Sequence, residues 1–137
     1  MKAPVTATTT ATSTGQPKKS NRIPTKHEQC LYALLRAGSE GINQLRALSL
    51  YGDTCVNTTI SELGNKRGLL ISRDRRPHQH QLGGATSFTW YWFADRIEAK
   101  RALRTLNTLR RARGCLPLPN GEAYHLLCQF PERKGAA

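Results

Sequence analysis

The most informative part of the chain is residues 41–93, which read GINQLRALSLYGDTCVNTTISELGNKRGLLISRDRRPHQHQLGGATSFTWYWF. Apolar residues recur there at helical spacing in two runs, which are separated by the tight turn SLYGD at residues 49–53. Two short runs of β-forming residues follow and flank a polar, basic loop. The pattern predicts a helix, a turn, a second helix, a strand, a loop and a second strand, in that order.

The turn and the helix after it carry the clearest local signals. Gly52 supplies the left-handed backbone conformation that a sharp reversal between two helices needs. Asp53 and Thr54 are residue types that cap helices, so we expect the helix after the turn at residues 54–66. Its apolar stripe recurs at helical spacing and is expected to face the core: Val56, Ile60 and Leu63.

The opposite face of this helix carries short hydrogen-bonding side chains. At about 100° of rotation per residue, these side chains project together, away from the apolar stripe. An α-helix fits the DNA major groove, where amide and hydroxyl groups bond base edges. Glu62, at the margin of the face, departs from this pattern because DNA phosphates repel a carboxylate. The base-reading residues predicted here are Thr54, Asn57, Thr58, Ser61 and Asn65.

A basic loop, which we call the wing, lies between predicted strands at residues 69–73 and 87–93. Its residues 74–84 combine charge, a proline and a double-glycine tip, and they are too polar for a core. Such a loop has the length and charge to enter a minor groove or to contact a phosphate strand. The predicted backbone and wing contacts are Lys66, Arg67, Arg73, Arg75, Arg76, His78 and Gln81.

Two amphipathic segments precede the turn. Thr25 and Glu28 have the spacing of a capping box, in which each side chain bonds the backbone N–H of the other residue. A first helix is expected from this box to Gly38. Its apolar face is formed by Leu31, Leu34 and Leu35, and a shorter second helix repeats the pattern with Ile42, Leu45 and Leu48.

A long basic helix is predicted after the wing, from the capping pair Asp95 and Glu98 to Arg113. Its apolar stripe is suited to packing on the core or to pairing two subunits, and it consists of Ala99, Ala102, Leu103, Leu106 and Leu109. Cations on the other side are predicted as secondary phosphate contacts: Lys100, Arg101 and Arg104. A turn-rich break and an apolar piece at residues 123–130 follow.

The charge balance of the 137-residue chain points to a polyanionic partner. Twenty-one Lys and Arg against nine Asp and Glu give a net charge of +12 and a pI near 10.2. Residues 1–24 are rich in Thr, Ala and Ser and contain basic but no acidic residues, so we expect a disordered basic tail. No apolar run approaches the roughly 20 residues of a membrane span, and no secretory signal is evident, so a cytoplasmic protein is expected.

Four segments carry a family resemblance: CLYALLRAG at 30–38, GINQLRAL at 41–48, TISEL at 59–63 and KRGLLI at 66–71. Together they resemble small winged helix-turn-helix proteins of bacterial prophages and other mobile elements, over roughly residues 26–93. The resemblance implies a DNA-binding accessory or regulatory role near the bacterial nucleoid, with residues 54–66 as the reading helix. It specifies no target sequence.

The predicted fold is α+β and mainly helical: a winged helix-turn-helix of three helices and a β-hairpin wing, followed by a long basic helix. The expected division is a tail at 1–24, the winged helix-turn-helix at 25–94, and a C-terminal extension at 95–137 that is a possible dimerisation element. The predicted function is sequence-specific binding of double-stranded DNA, as a transcriptional regulator or recombination accessory factor. A homodimer would read an inverted repeat.

Two alternatives involve the same fold. A winged-helix module also serves protein or RNA contacts, since fold alone does not fix function. An aromatic strand can stack unpaired bases. Alternation puts Phe88, Trp90 and Trp92 on one face of this strand and Thr89, Tyr91 and Phe93 on the other, and one of these faces is expected in the core.

The sequence gives weaker support to an enzymatic or a metal-binding function. No phosphate-binding glycine loop, paired carboxylates or nucleophile with an evident base is present, so we expect neither catalysis nor a cofactor. The pairs His27/Cys30 and His125/Cys128 would supply four zinc ligands if they came together. Cysteines without such an arrangement are more often packed in a core than bound to a metal, so no metal is expected.

Overall fold

The computed structural model of the protein describes residues 23–79 and 83–133, apart from the side chains of residues 78, 79 and 85. Within these residues it contains five helices and one antiparallel hairpin, which confirms a mainly helical α+β fold. The elements are α1 (Lys26–Ala37), a 3-10 turn (Gly38–Glu40), α2 (Gln44–Tyr51), α3 (Val56–Arg67), β1 (Ser72–Gln79), β2 (Ala85–Trp92), α4 (Arg96–Ala112) and α5 (Asn120–Cys128).

Half of the predicted capping box at the start of α1 is present. The Thr25 hydroxyl accepts a hydrogen bond from the Glu28 backbone N–H at 3.2 Å, which fixes the first turn. The carboxylate of Glu28 does not complete the box. It is buried and instead accepts two hydrogen bonds from Arg113 at the end of α4, at 2.8 and 2.7 Å. The predicted reciprocal cap by Glu28 was therefore wrong, because its carboxylate binds Arg113, a residue distant in sequence.

The start of α3 differs from the prediction by two residues. The helix begins at Val56, whose backbone N–H donates a hydrogen bond to the side-chain oxygen of Gln44 at 2.7 Å. Asp53 accepts from the Cys55 N–H at 2.9 Å and so stabilises the turn before the helix rather than capping its first residue. Thr54 consequently lies outside α3, exposed just ahead of it.

The hairpin is longer than predicted and begins later. Ser72 pairs with Trp92 at its base and Gln79 with Ala85 near its tip. Residues 74–79, which were predicted as wing loop, belong to β1, and residues 69–71 precede it. The polar sequence of β1 gives no strand periodicity, but its backbone pairs with the β-forming residues of β2.

A two-residue bridge attaches the hairpin to the helices. Ile42, between the 3-10 turn and α2, exchanges backbone hydrogen bonds with Tyr91 at 2.9 and 2.8 Å. This bridge and the burial of Tyr91 and Phe93 hold β2 against the helical core.

The apolar core continues past the hairpin into α4 and α5. The stripe of α4 is buried at Ala99, Ala102 and Leu106, and α4 packs against α1. The ring of Phe130, after α5, lies 6.2 Å from that of Phe93. The apolar core therefore extends across the predicted boundary at residue 94. Of the two uses predicted for the α4 stripe, core packing is the one seen at Ala99, Ala102 and Leu106.

Membrane-spanning helices are absent from the described residues, because none of their helices is both long and apolar enough.

Candidate nucleic-acid interface

The outward face of α3 presents four of the five predicted base-reading residues. Asn57, Thr58, Ser61 and Asn65 are all exposed, and helical rotation puts them within about a third of the circumference. Lys66 and Arg67 are exposed in the last turn, where the helix dipole favours cations. The fifth residue, Thr54, is exposed beside the N-terminus of the same helix.

Glu62, the one acidic residue of α3, does not project freely from this face. Its carboxylate oxygen lies 2.7 Å from the Nε2 atom of His27 on α1. The hydrogen bond with His27 lowers the pKa of Glu62, and the nearby charges of Lys66 and Lys26 lower it further. The carboxylate at the margin of this face is thus bound by a side chain of the neighbouring helix α1.

Asp53 fixes α3 against the end of α2. It is fully buried, and one of its oxygens accepts hydrogen bonds from the hydroxyls of Thr59 at 2.7 Å and Tyr51 at 3.1 Å. Burial by itself raises the pKa of Asp53, but the hydrogen bonds from Thr59, the Cys55 N–H and Tyr51, with the charge of Lys26, outweigh it and lower the pKa. An ionised carboxylate therefore ties the turn to the first turns of α3.

Lys26 is a candidate phosphate contact that the sequence prediction missed. Its ammonium lies 3.8 Å from the Asp53 carboxylate, and the side chain is 56% exposed beside the start of α3. In the sequence Lys26 is only a residue inside the capping-box spacing. Lys26 lies next to α3 because of the way α1 packs, and the local sequence does not predict this position.

The arginines of the hairpin divide between its two faces. Side chains alternate along a strand, so Arg73 and Arg75 lie on one face and Arg76 on the other. The Arg76 guanidinium lies 5.4 and 5.0 Å from the ring centres of Trp90 and Trp92. Arg75 is exposed, with no hydrogen bond or ion pair to any residue that the structure describes. Arg75 and Arg76, both predicted as backbone or wing contacts, therefore lie in a strand and not in a loop, and they project from opposite faces of the hairpin.

The aromatic residues of β2 follow the predicted alternation. Tyr91 and Phe93 are in the core, whereas Trp90 and Trp92 are half-buried on the outer face. Arg46 of α2, a second residue that sequence reasoning missed, covers Trp90 with its guanidinium 4.9 Å from the ring centre. A base-stacking surface would therefore consist of two tryptophans, and both already stack with arginines.

The remaining predicted contacts lie elsewhere or outside the described residues. Lys100, Arg101 and Arg104 are exposed on α4, and Arg101 lies 3.8 Å from the Glu98 carboxylate. For His78 the structure describes the backbone, paired with Thr86, but not the side chain. Gln81 lies outside the described residues.

The proposed zinc ligands have other surroundings. His27 bonds Glu62, and Cys30 is fully buried, which raises the pKa of its thiol to about 12. Cys128, in contrast, is exposed on α5. No group of three or more His, Cys, Asp or Glu residues in the described part of the chain is arranged to hold a metal ion.

Comparison of the chain with protein-family models, with curated proteins and with solved structures gives no match.

Proposed function

We propose that this chain is a winged helix-turn-helix protein that binds duplex DNA sequence-specifically, with α3 in the major groove and the hairpin on the adjacent backbone. The succession of three helices and a hairpin, with a tight turn before α3, supports this assignment. A role as transcriptional regulator or recombination accessory factor of a mobile element follows from the family resemblance alone.

The observation that carries the proposal is the chemistry of the exposed face of α3. Short neutral side chains form its centre, and Lys66 and Arg67 lie at its C-terminal end. Its one carboxylate, that of Glu62, is hydrogen-bonded to His27. An Asn amide can pair with adenine through two hydrogen bonds, while hydroxyls bond several base edges. This face therefore offers the groups that read a major groove, and its one carboxylate, which is ionised and 41% exposed, is bound by His27 at the margin of the face.

Affinity would come from exposed cations of α1, α3 and the hairpin. Lys26, Lys66, Arg67 and Arg75 are exposed, and each phosphate that such a cation neutralises adds about 0.9 to the slope of log affinity against log salt. Cations of α4 extend the same field. Contacts of this kind position the protein, whereas specificity requires the base contacts of α3.

The class of nucleic acid is tested by fluorescence anisotropy of the purified protein with a duplex DNA, a single-stranded DNA and an RNA, over a series of salt concentrations. We expect duplex binding to persist at salt concentrations that abolish the other two. Preferential binding to single strands, lost in Trp90→Ala, would favour the base-stacking alternative. Weak and equal binding to all three would leave a basic surface and favour a protein-interaction module.

Arg75→Ala is expected to weaken duplex binding and to reduce the salt slope by about 1, because one phosphate contact is lost. Arg76→Ala is the matched control, with the same charge change one residue away. Arg76 stacks on two tryptophans and lies 3.6 Å from Asp74, so its loss should change the slope less. The measurement is the anisotropy titration at several salt concentrations. Equal effects of the two substitutions would contradict the assignment of hairpin faces.

A further inference from the structure

The short helix α2 carries an unusual density of exposed leucines. Leu45, Leu48 and Leu50 are 44%, 49% and 62% exposed on a helix of eight residues. Single exposed leucines are ordinary on protein surfaces, but several together on one short element mark an interaction site. We call Leu45, Leu50 and the groove that they line the α2 patch.

A groove of about 750 Å³ lies between α1 and α2, next to these leucines. Leu45 and Leu50 form part of its wall, together with Tyr32, Ile42 and Tyr51. Projecting leucines and an apolar groove therefore occur side by side on one surface. A twofold symmetric dimer requires this kind of patch, because the same surface must supply both the projecting and the receiving part.

The α2 patch carries less positive charge than the outward face of α4. Arg46 at its edge is paired with Glu40 at 3.0 Å, and Arg36 is the other cation that lines the groove. The outward face of α4, in contrast, carries four exposed cations: Lys100, Arg101, Arg104 and Arg111. Two copies of a chain with a charge of +12 repel each other least where the contacting surface is nearly neutral. Glu40 of one copy also offers an anion to Arg36 of the other.

We propose that the α2 patch is the interface of a homodimer, in which Leu50 of each copy enters the groove of the other. The groove is lined by fewer residues than the roughly 20–30 per side of a standard interface, so we expect the free dimer to be weak. The apolar stripe of α4 is packed in the core and does not compete for this role. Since Asp53 ties α3 to the end of α2, the dimer also fixes the separation of the two α3 helices.

Sedimentation equilibrium without DNA, in high salt and at protein concentrations up to about 100 µM, tests the interface separately from DNA binding. We expect the wild type to approach twice the monomer mass of 15.2 kDa as its concentration rises. Leu50→Asp and Leu45→Asp should each raise the dimer dissociation constant about tenfold or more, because each buries a carboxylate in the interface. Circular dichroism would verify that both variants are folded.

Leu116→Asp is the matched control, because Leu116 is 81% exposed between α4 and α5 and undergoes the same substitution. It should dimerise like the wild type. A monomeric wild type over the whole concentration range would overturn the proposal and leave the groove to a different protein. An undiminished dimer in Leu50→Asp and Leu45→Asp, or an equal loss in Leu116→Asp, would overturn it as well.

Discussion

Gly41→Ala is expected to destabilise the fold by about 3–5 kcal/mol, since backbone strain and a steric clash add together. Gly41 has φ 81° and ψ −169°, a conformation that is essentially restricted to glycine. A Cβ atom there would overlap the carbonyl oxygen of Tyr91 and lie 2.9 Å from the Cβ of Trp92. The neighbouring Ile42–Tyr91 bridge, which attaches the hairpin to the helices, would have to shift.

Gly52→Ala measures the backbone strain of a positive φ without the steric clash that is expected at Gly41. Gly52 also has a positive φ, 77°, but no atom lies within 4 Å of the position its Cβ would take. We expect a loss of about 1–2 kcal/mol, the cost of a left-handed conformation in alanine. Urea denaturation followed by circular dichroism gives the free energy of unfolding of both variants. Equal losses would show that the close approach of Gly41 to β2 is not what holds the hairpin.

Arg113→Ala is expected to reduce the free energy of unfolding by about 3–5 kcal/mol, because it leaves the carboxylate of Glu28 buried without its cation. The side chains of Glu28 and Arg113 are 5% and 14% exposed, and two hydrogen bonds of 2.8 and 2.7 Å join them. This pair connects the first turn of α1 with the end of α4. Urea denaturation measures the loss.

Two variants test the cause of that loss. Glu40→Ala breaks an ion pair of similar length whose members, Glu40 and Arg46, are 61% and 43% exposed, and it should cost at most about 1 kcal/mol. The double variant Glu28→Met with Arg113→Met removes both charges and should be more stable than Arg113→Ala. A double variant as unstable as the single one would mean that lost packing, and not an unpaired charge, accounts for the effect.

The helical part of this fold is predictable because its signals are local. The Val56, Ile60 and Leu63 stripe is buried as its periodicity indicates, and Thr25 caps α1. The start of α3 was misplaced because Gln44, a residue of the preceding helix, accepts its first N–H. The extent of β1 was missed because its polar residues acquire strand structure only by pairing with β2.

The exposed residues of the candidate interface were predictable, but their partners were not. The exposure of Asn57, Thr58, Ser61 and Asn65 follows from helical rotation. The bond between Glu62 and His27 joins residues 35 positions apart, and no spacing rule relates them. The role of Asp53 as a buried acceptor was hidden for a different reason, since a turn aspartate is ordinarily an exposed cap.

Whether the exposed face of α3 reads duplex DNA can be measured by selecting bound sequences from a random duplex pool with the wild type and with Asn57→Ala plus Ser61→Ala. We predict that the wild type enriches a defined motif that persists at higher salt. The double variant should lose discrimination of about 1–3 kcal/mol per affected base pair at particular positions, while general affinity is largely retained. No enriched motif for the wild type, or the same motif from both proteins, would show that these α3 side chains do not read the bases.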